Sequence, residues 1–179
     1  DITTTIEGRR MTVALTIGTR TNAEQPEDLK GRYLVSLKLI ERLHRLLLDV
    51  IKDEFERLGR SDVNSVQALL LYSIGDAELT AGELTSRGYY LGSNVSYNLK
   101  KLVESGYINH QRSNTDRRSV RVRLAEKGRE VCDVVSALYQ RQLKSLQQVG
   151  GIESSDLETL NKSLIRLERF WTDQIRYQL

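Results

Sequence analysis

The most legible chemistry in the chain lies between Ser93 and Arg123. Ser93, Asn94, Ser96 and Tyr97 are short or planar hydrogen-bonding side chains, and Lys100 and Lys101 follow within about a turn. Val95, Leu99, Leu102 and Val103 fall at i, i+4, i+7 and i+8, so a helix gathers them on one face and leaves the polar set on the other. Groups that can reach base edges, followed by cations that can sit beside phosphates, are what a helix entering a major groove needs. The plainer reading of the same residues is a solvated surface helix with a lysine pair.

The next stretch adds arginines. In Ser119–Leu124, Val120, Val122 and Leu124 alternate with Ser119, Arg121 and Arg123, the period of a half-buried strand. A looser strand, Tyr107–Arg112, precedes it, and Ser113–Arg118 between them is turn-forming, with Asn114 and Asp116. Arg117 and Arg118 fall at or just past the tip of this hairpin. With Arg112 and Arg121 they form a set suited to phosphate or to the minor groove. Asp116 is expected to pair with an arginine and shape the tip, because a carboxylate is repelled by phosphate.

Charge is partitioned accordingly. From Ser86 to Arg129 there are ten Lys or Arg against three acids, a net +7 in a chain whose total is +3. The rest of the chain is therefore acidic on balance, and the basic charge sits where the helix and hairpin lie, the footprint of a nucleic-acid face.

Other chemistry is thin. The chain has two His and one Cys, with no H-E-x-x-H, no paired C-x-x-C and no Gly-rich phosphate loop. Neither catalysis, nor a cofactor, nor a metal is expected. His110 lies on the first hairpin strand, where a phosphate contact suits it better than a metal. Cys132 reads as a small packed residue. The sharper reading is a redox-sensing thiol, with Arg129 three residues away to lower its pKa.

The elements that must position these residues are mostly helices. Pro26-Glu27-Asp28 opens a long helix with the residue types favoured at an N-terminus, and its apolar pattern runs to about Leu58. Leu37, Ile40, His44, Leu47 and Ile51 lie on one stripe, and Leu34, Leu43 and Leu46 widen it. A helix of about 32 residues, near 48 Å long, outruns what the rest of the chain can cover, so a second copy is expected against it. Ser61 or Asp62 caps a second helix, Val63 to Ile74. Thr80 caps a short third helix, with Glu83 as its capping-box partner. That helix ends near Arg87-Gly88, and 89–92 form a turn. Ser93 or Asn94 caps the fourth helix, which Gly106 stops. Two short helices, a turn and a basic hairpin make a winged helix-turn-helix. Glu126–Gln148 is a further long helix. Gly150-Gly151 breaks it, and Ser154 or Ser155 caps a last helix carrying Leu157, Leu160, Leu164, Leu167 and Trp171 at 3–4 spacing.

The organisation expected is a flexible segment 1–25, a long dimerisation helix 26–58, a winged helix-turn-helix lobe 59–125, and C-terminal dimerisation helices 126–179. The fold class is mainly α with a small β-wing. Residues 1–10 contain Ile6-Glu7-Gly8-Arg9, the site of a tag-removing protease, and are set aside as a candidate tag remnant. Hydrophobic residues make up 39% and aromatics 6%, lean for a monomer and compatible with faces buried in a partner. No run of about 18 apolar residues offers a membrane span, and one Cys without a signal peptide suggests the reducing cytoplasm.

Leu84, Val95-Ser96, Leu99, Leu102, Gly106-Tyr107-Ile108, Asp116-Arg117-Arg118, Val122, Leu124 and Gly128 together resemble the MarR family of bacterial transcription regulators. The run from Gly92 to Ser113 is similar to its LdtR-type members. Tyr97 stands where many members have Arg or His, and Ala125 where many have Thr. The resemblance implies a homodimer that binds a pseudo-palindromic duplex operator, with repression the family tendency. It also implies a small aromatic or phenolic effector held between lobe and dimer base. Leu37, His44, Tyr72 and Tyr139 are the pocket candidates, and core packing is the plain reading for each. A Cys132-based redox regulator and a winged helix used for protein interaction remain as alternatives.

Overall fold

The computed structural model describes residues 26–86, 92–112 and 120–177. The elements are α1 (Pro26–Arg57), α2 (Ser65–Ile74), β1 (Leu79–Thr80), α3 (Ala81–Ser86), α4 (Gly92–Glu104), β2 (Ile108–Arg112), β3 (Val120–Leu124), α5 (Glu126–Leu146) and α6 (Ser154–Tyr177). The chain divides into two units, residues 1–42 and 43–179. The described part of the first is the N-terminal half of α1, on which Leu29, Leu34, Val35 and Leu39 are all exposed.

In the second unit, one core joins the end of α1 to the lobe. Ile51 and Phe55 of α1, Leu70, Leu71 and Ile74 of α2, Leu84 of α3, and Val131 and Val135 of α5 are buried together. Glu54 is buried among them. Its carboxylate accepts two hydrogen bonds from Arg57, at 3.0 and 2.8 Å, and an ion pair from Arg141 of α5 at 2.5 Å. That pairing ties α1 to α5 and holds the Glu54 pKa down at about 2, with Arg57 the main cause.

The helix starts follow local capping chemistry. Thr80 and Glu83 form the expected capping box: the Glu83 N–H donates to Thr80 Oγ1 at 3.1 Å, and the Thr80 N–H to the Glu83 carboxylate at 2.6 Å. The second helix starts later than expected. Asn64 caps it, in a reciprocal box with Gln67 at 2.9 and 3.1 Å, and neither Ser61 nor Asp62 does. Asp62 is drawn instead to Arg60 and Tyr107. At Ala125 no side chain caps α5, as an Ala there requires. Before α6, Asp156 accepts the Glu153 N–H at 2.9 Å. Glu158 pairs with Lys162.

The hairpin is part of a three-stranded antiparallel sheet in the order β1-β3-β2. The expected wing lacked β1, whose two residues pair Leu79 with Val122 and Thr80 with Arg121. In the hairpin Ile108 faces Leu124, His110 faces Val122 and Arg112 faces Val120. Leu79, Ile108, Val122 and Leu124 are buried, so this face of the sheet closes the core beneath α4. No described helix is long and apolar enough to cross a membrane.

Candidate nucleic-acid interface

The fourth helix is seated as its pattern requires. Val95, Leu99 and Leu102 are buried, while Ser96, Tyr97, Lys100 and Lys101 are exposed, Tyr97 at 61%. Asn98 is also buried, a polar position the apolar pattern did not show. Ser93 and Asn94 lie within the first turn rather than capping it, because the helix already begins at Gly92. Their side chains lie outside what the structure describes. The far end closes at Gly106, whose φ of 79° is left-handed. The Gly106 N–H donates to Val103 and the Tyr107 N–H reaches back to Leu102 at 2.8 Å, satisfying the last carbonyls.

The lysines are held loosely. Lys100 and Lys101 lie 3.8 and 4.0 Å from the Glu104 carboxylate, and Lys101 sits 5.9 Å from the Tyr97 ring centre. Exposed pairs of this kind are worth little, about 0–1 kcal/mol, so either lysine can leave Glu104 for a phosphate at small cost.

On the hairpin, Arg121 is exposed on the face of β3 opposite buried Val122 and Leu124, and Arg123 shares that face. The alternation that placed Arg121 also placed Arg123, yet only Arg121 was singled out from the sequence. Arg112 ends β2. Asp116, Arg117, Arg118, Tyr89 and Tyr90 lie outside the described residues. An apolar hollow of about 450 Å³ separates α4 from the hairpin, lined by Leu99, Lys100, Val103, Glu104, His110 and Val122 among others.

Two of the effector candidates are in contact. Tyr72 and Tyr139 meet edge to face, with ring centres 5.3 Å apart, where α2 packs on α5. His44 is exposed rather than set in a core stripe, and Leu37 is half-buried. At Cys132 burial, with Asp133 and Asp76, pushes the thiol up to about 11, away from the thiolate that redox sensing uses. Arg129 does not offset this, because it pairs with Glu126 at 3.1 Å. Among the described residues no group of His, Cys, Asp and Glu could hold a metal ion.

Comparison with known proteins agrees with this arrangement. Residues 63–128 match the family model of a winged helix DNA-binding domain. Over 151 residues the chain is 38% identical to the exopolysaccharide II synthesis transcriptional activator ExpG of Rhizobium meliloti, covering 84% of this chain and 77% of that protein. Among solved structures it is similar to the transcriptional regulator SlyA, at TM-score 0.67 and 19% identity over 80% of this chain and 98% of that one. A mutant MarR from E. coli complexed with operator DNA gives TM-score 0.62 and 21% identity, over 78% and 98% of the two chains. The chain belongs to the MarR family of winged helix-turn-helix transcription regulators. Within that family the narrower likeness to LdtR-type members finds no support in these comparisons. As a MarR-type regulator the protein is a DNA-binding one, and the named relatives are regulators rather than enzymes. ExpG is named an activator, whereas the family tendency pointed to repression.

Proposed function

We propose that this regulator is a homodimer that binds a pseudo-palindromic operator and is released by a small aromatic or phenolic ligand. The DNA-reading part rests on α4, whose apolar face is buried while Ser96, Tyr97, Lys100 and Lys101 stand clear beside a cationic hairpin. Two such helices related by a two-fold enter successive major grooves about 34 Å apart. Ser93, Asn94, Ser96 and Tyr97 read bases, while Lys100, Lys101, Arg112, Arg117, Arg118, Arg121 and Arg123 hold phosphate or the minor groove.

The dimer rests on faces left bare. Among the described residues of α6 none is buried, although Leu160, Leu164, Ile165 and Phe170 are all at least 40% exposed. The N-terminal half of α1 is equally uncovered. Apolar surface of this extent marks an interface in a stable protein, and a second copy of the same helices meets it with matching chemistry. The dimer base is then 26–58 with 126–179, around a reading lobe at 59–125, and the whole works in the cytoplasm.

Ligand release rests on the Tyr72–Tyr139 contact, which brings two phenol rings together where α2 packs on α5; Leu37 and His44 are the other residues proposed to contact the ligand. Sedimentation equilibrium tests the dimer: two chains are expected free in solution and two on each operator-length duplex. A monomer that binds DNA singly overturns it. Salicylate or a phenol should shift the melting temperature and weaken DNA binding, and the ligand reading fails where neither moves.

A further inference from the structure

One polar assembly in the lobe lies off the reading face and grips the exit of α4. Tyr107 follows Gly106 directly and is 1% exposed. Its hydroxyl donates to the carboxylate of Asp62, 45 positions away in the α1–α2 connection. Asp62 also accepts two hydrogen bonds from the Arg60 guanidinium, at 3.2 and 2.9 Å. That guanidinium lies over the Phe55 ring of α1, 5.6 Å from its centre. From the other side, the Lys127 ammonium of α5 sits 4.3 Å from the Tyr107 ring centre and donates to the Ser105 carbonyl at 3.2 Å. The backbone is fixed as well, since the Ala125 N–H donates to the Tyr107 carbonyl at 2.9 Å.

The end of α1, the α1–α2 connection and the start of α5 thus converge on the residues through which α4 passes into the hairpin. We propose that Tyr107, Asp62 and Arg60 form a latch that sets the position of α4, so that they are positioning residues for DNA reading without touching DNA. This rests on α4 being the helix that reads bases. The physical reason is a difference in tolerance. A hydrogen bond to a base edge works only over a few tenths of an ångström and a narrow range of angles. A lysine on its flexible four-carbon stem follows a phosphate over a larger displacement. Loosening the helix exit therefore costs base reading before it costs phosphate binding.

The test uses the full chain with Tyr107→Phe, Asp62→Asn and the double variant. Arg60→Gln reaches the same carboxylate from its more exposed side and serves if Tyr107→Phe does not fold. Fluorescence anisotropy is read well below each melting temperature, on a duplex that the wild-type chain enriches from a random pool and on a random duplex of equal length. Each single variant is expected to weaken binding to the enriched duplex roughly tenfold, about one charge-assisted hydrogen bond. Random-duplex affinity and salt slope should stay unchanged, and the double variant should be no weaker than the worse single one. Variants that melt lower yet bind the enriched duplex like wild type overturn the latch, and so does equal loss on both duplexes. A wild-type chain that enriches no duplex overturns the reading role of α4 and the latch with it.

Discussion

Gly128→Ala isolates the packing between the hairpin and α5. A Cβ at this position would lie 2.3 Å from the Tyr107 carbonyl oxygen and 3.3 Å from Leu124 Cδ2. The first contact is with backbone, which cannot swing aside, so the start of α5 must retreat by about an ångström to restore ordinary contact. That retreat also strains the Ala125–Tyr107 hydrogen bond of 2.9 Å. Overpacking of this kind costs about 1–3 kcal/mol, and a weakened backbone hydrogen bond adds about 1 kcal/mol. Against this, Ala in place of Gly favours a helix by at most about 1 kcal/mol. The net loss is about 1–3 kcal/mol, and at about 2–4 °C per kcal/mol for a chain of this size the melting temperature falls by roughly 2–12 °C. Thermal unfolding followed by circular dichroism, at one fixed protein concentration, measures it. An equal or higher melting temperature would mean that α5 does not press on the Tyr107 carbonyl.

Other perturbations have equally definite outcomes. Arg121→Ala should weaken binding on all duplexes alike and lower the salt slope by about one unit, since one phosphate contact releases about one counterion; an unchanged slope places Arg121 off the DNA. Glu54 has its pKa lowered from 4.5 to about 2, so the unfolded chain binds more protons between those values. The stability it contributes is present above pH 4.5 and lost as pH falls toward 2. The melting temperature of Glu54→Gln should therefore fall less over that window than the wild type's, and parallel curves would contradict the pairing of Glu54 with Arg57 and Arg141. Cys132, with its thiol near 11, should alkylate slowly at pH 7, and Cys132→Ser should bind DNA as the wild type does. Fast alkylation at neutral pH would restore the redox reading.

What the sequence made legible follows from the range of the forces involved. The long helices and α4 were readable because their apolar residues recur at helical spacing, and the Thr80–Glu83 box because its partners are three residues apart. The strand β1 was not, since two residues have no period of their own and become a strand only by pairing with Val122 and Arg121. The start of α2 was misplaced because Asp62 looks like a cap, and its carboxylate is committed to Arg60 and to Tyr107, 45 positions on. Tyr107 read as an ordinary strand residue for the same reason. His44 fits the apolar stripe of α1 by spacing, yet it is exposed, because spacing places a residue on a face without saying what covers that face. The lowered thiol inferred from Arg129 failed because Glu126, at i−3, is the nearer partner.

The most direct test of the account is selection from a random duplex pool over a series of salt concentrations, with the bound fraction sequenced. A pseudo-palindrome with half-sites one helical turn apart, retained as salt rises while random duplexes are lost, is the predicted result. Binding that is weak, steeply salt-dependent and enriches no sequence would contradict it, because the helix from Gly92 to Glu104 would then meet phosphates without reading bases.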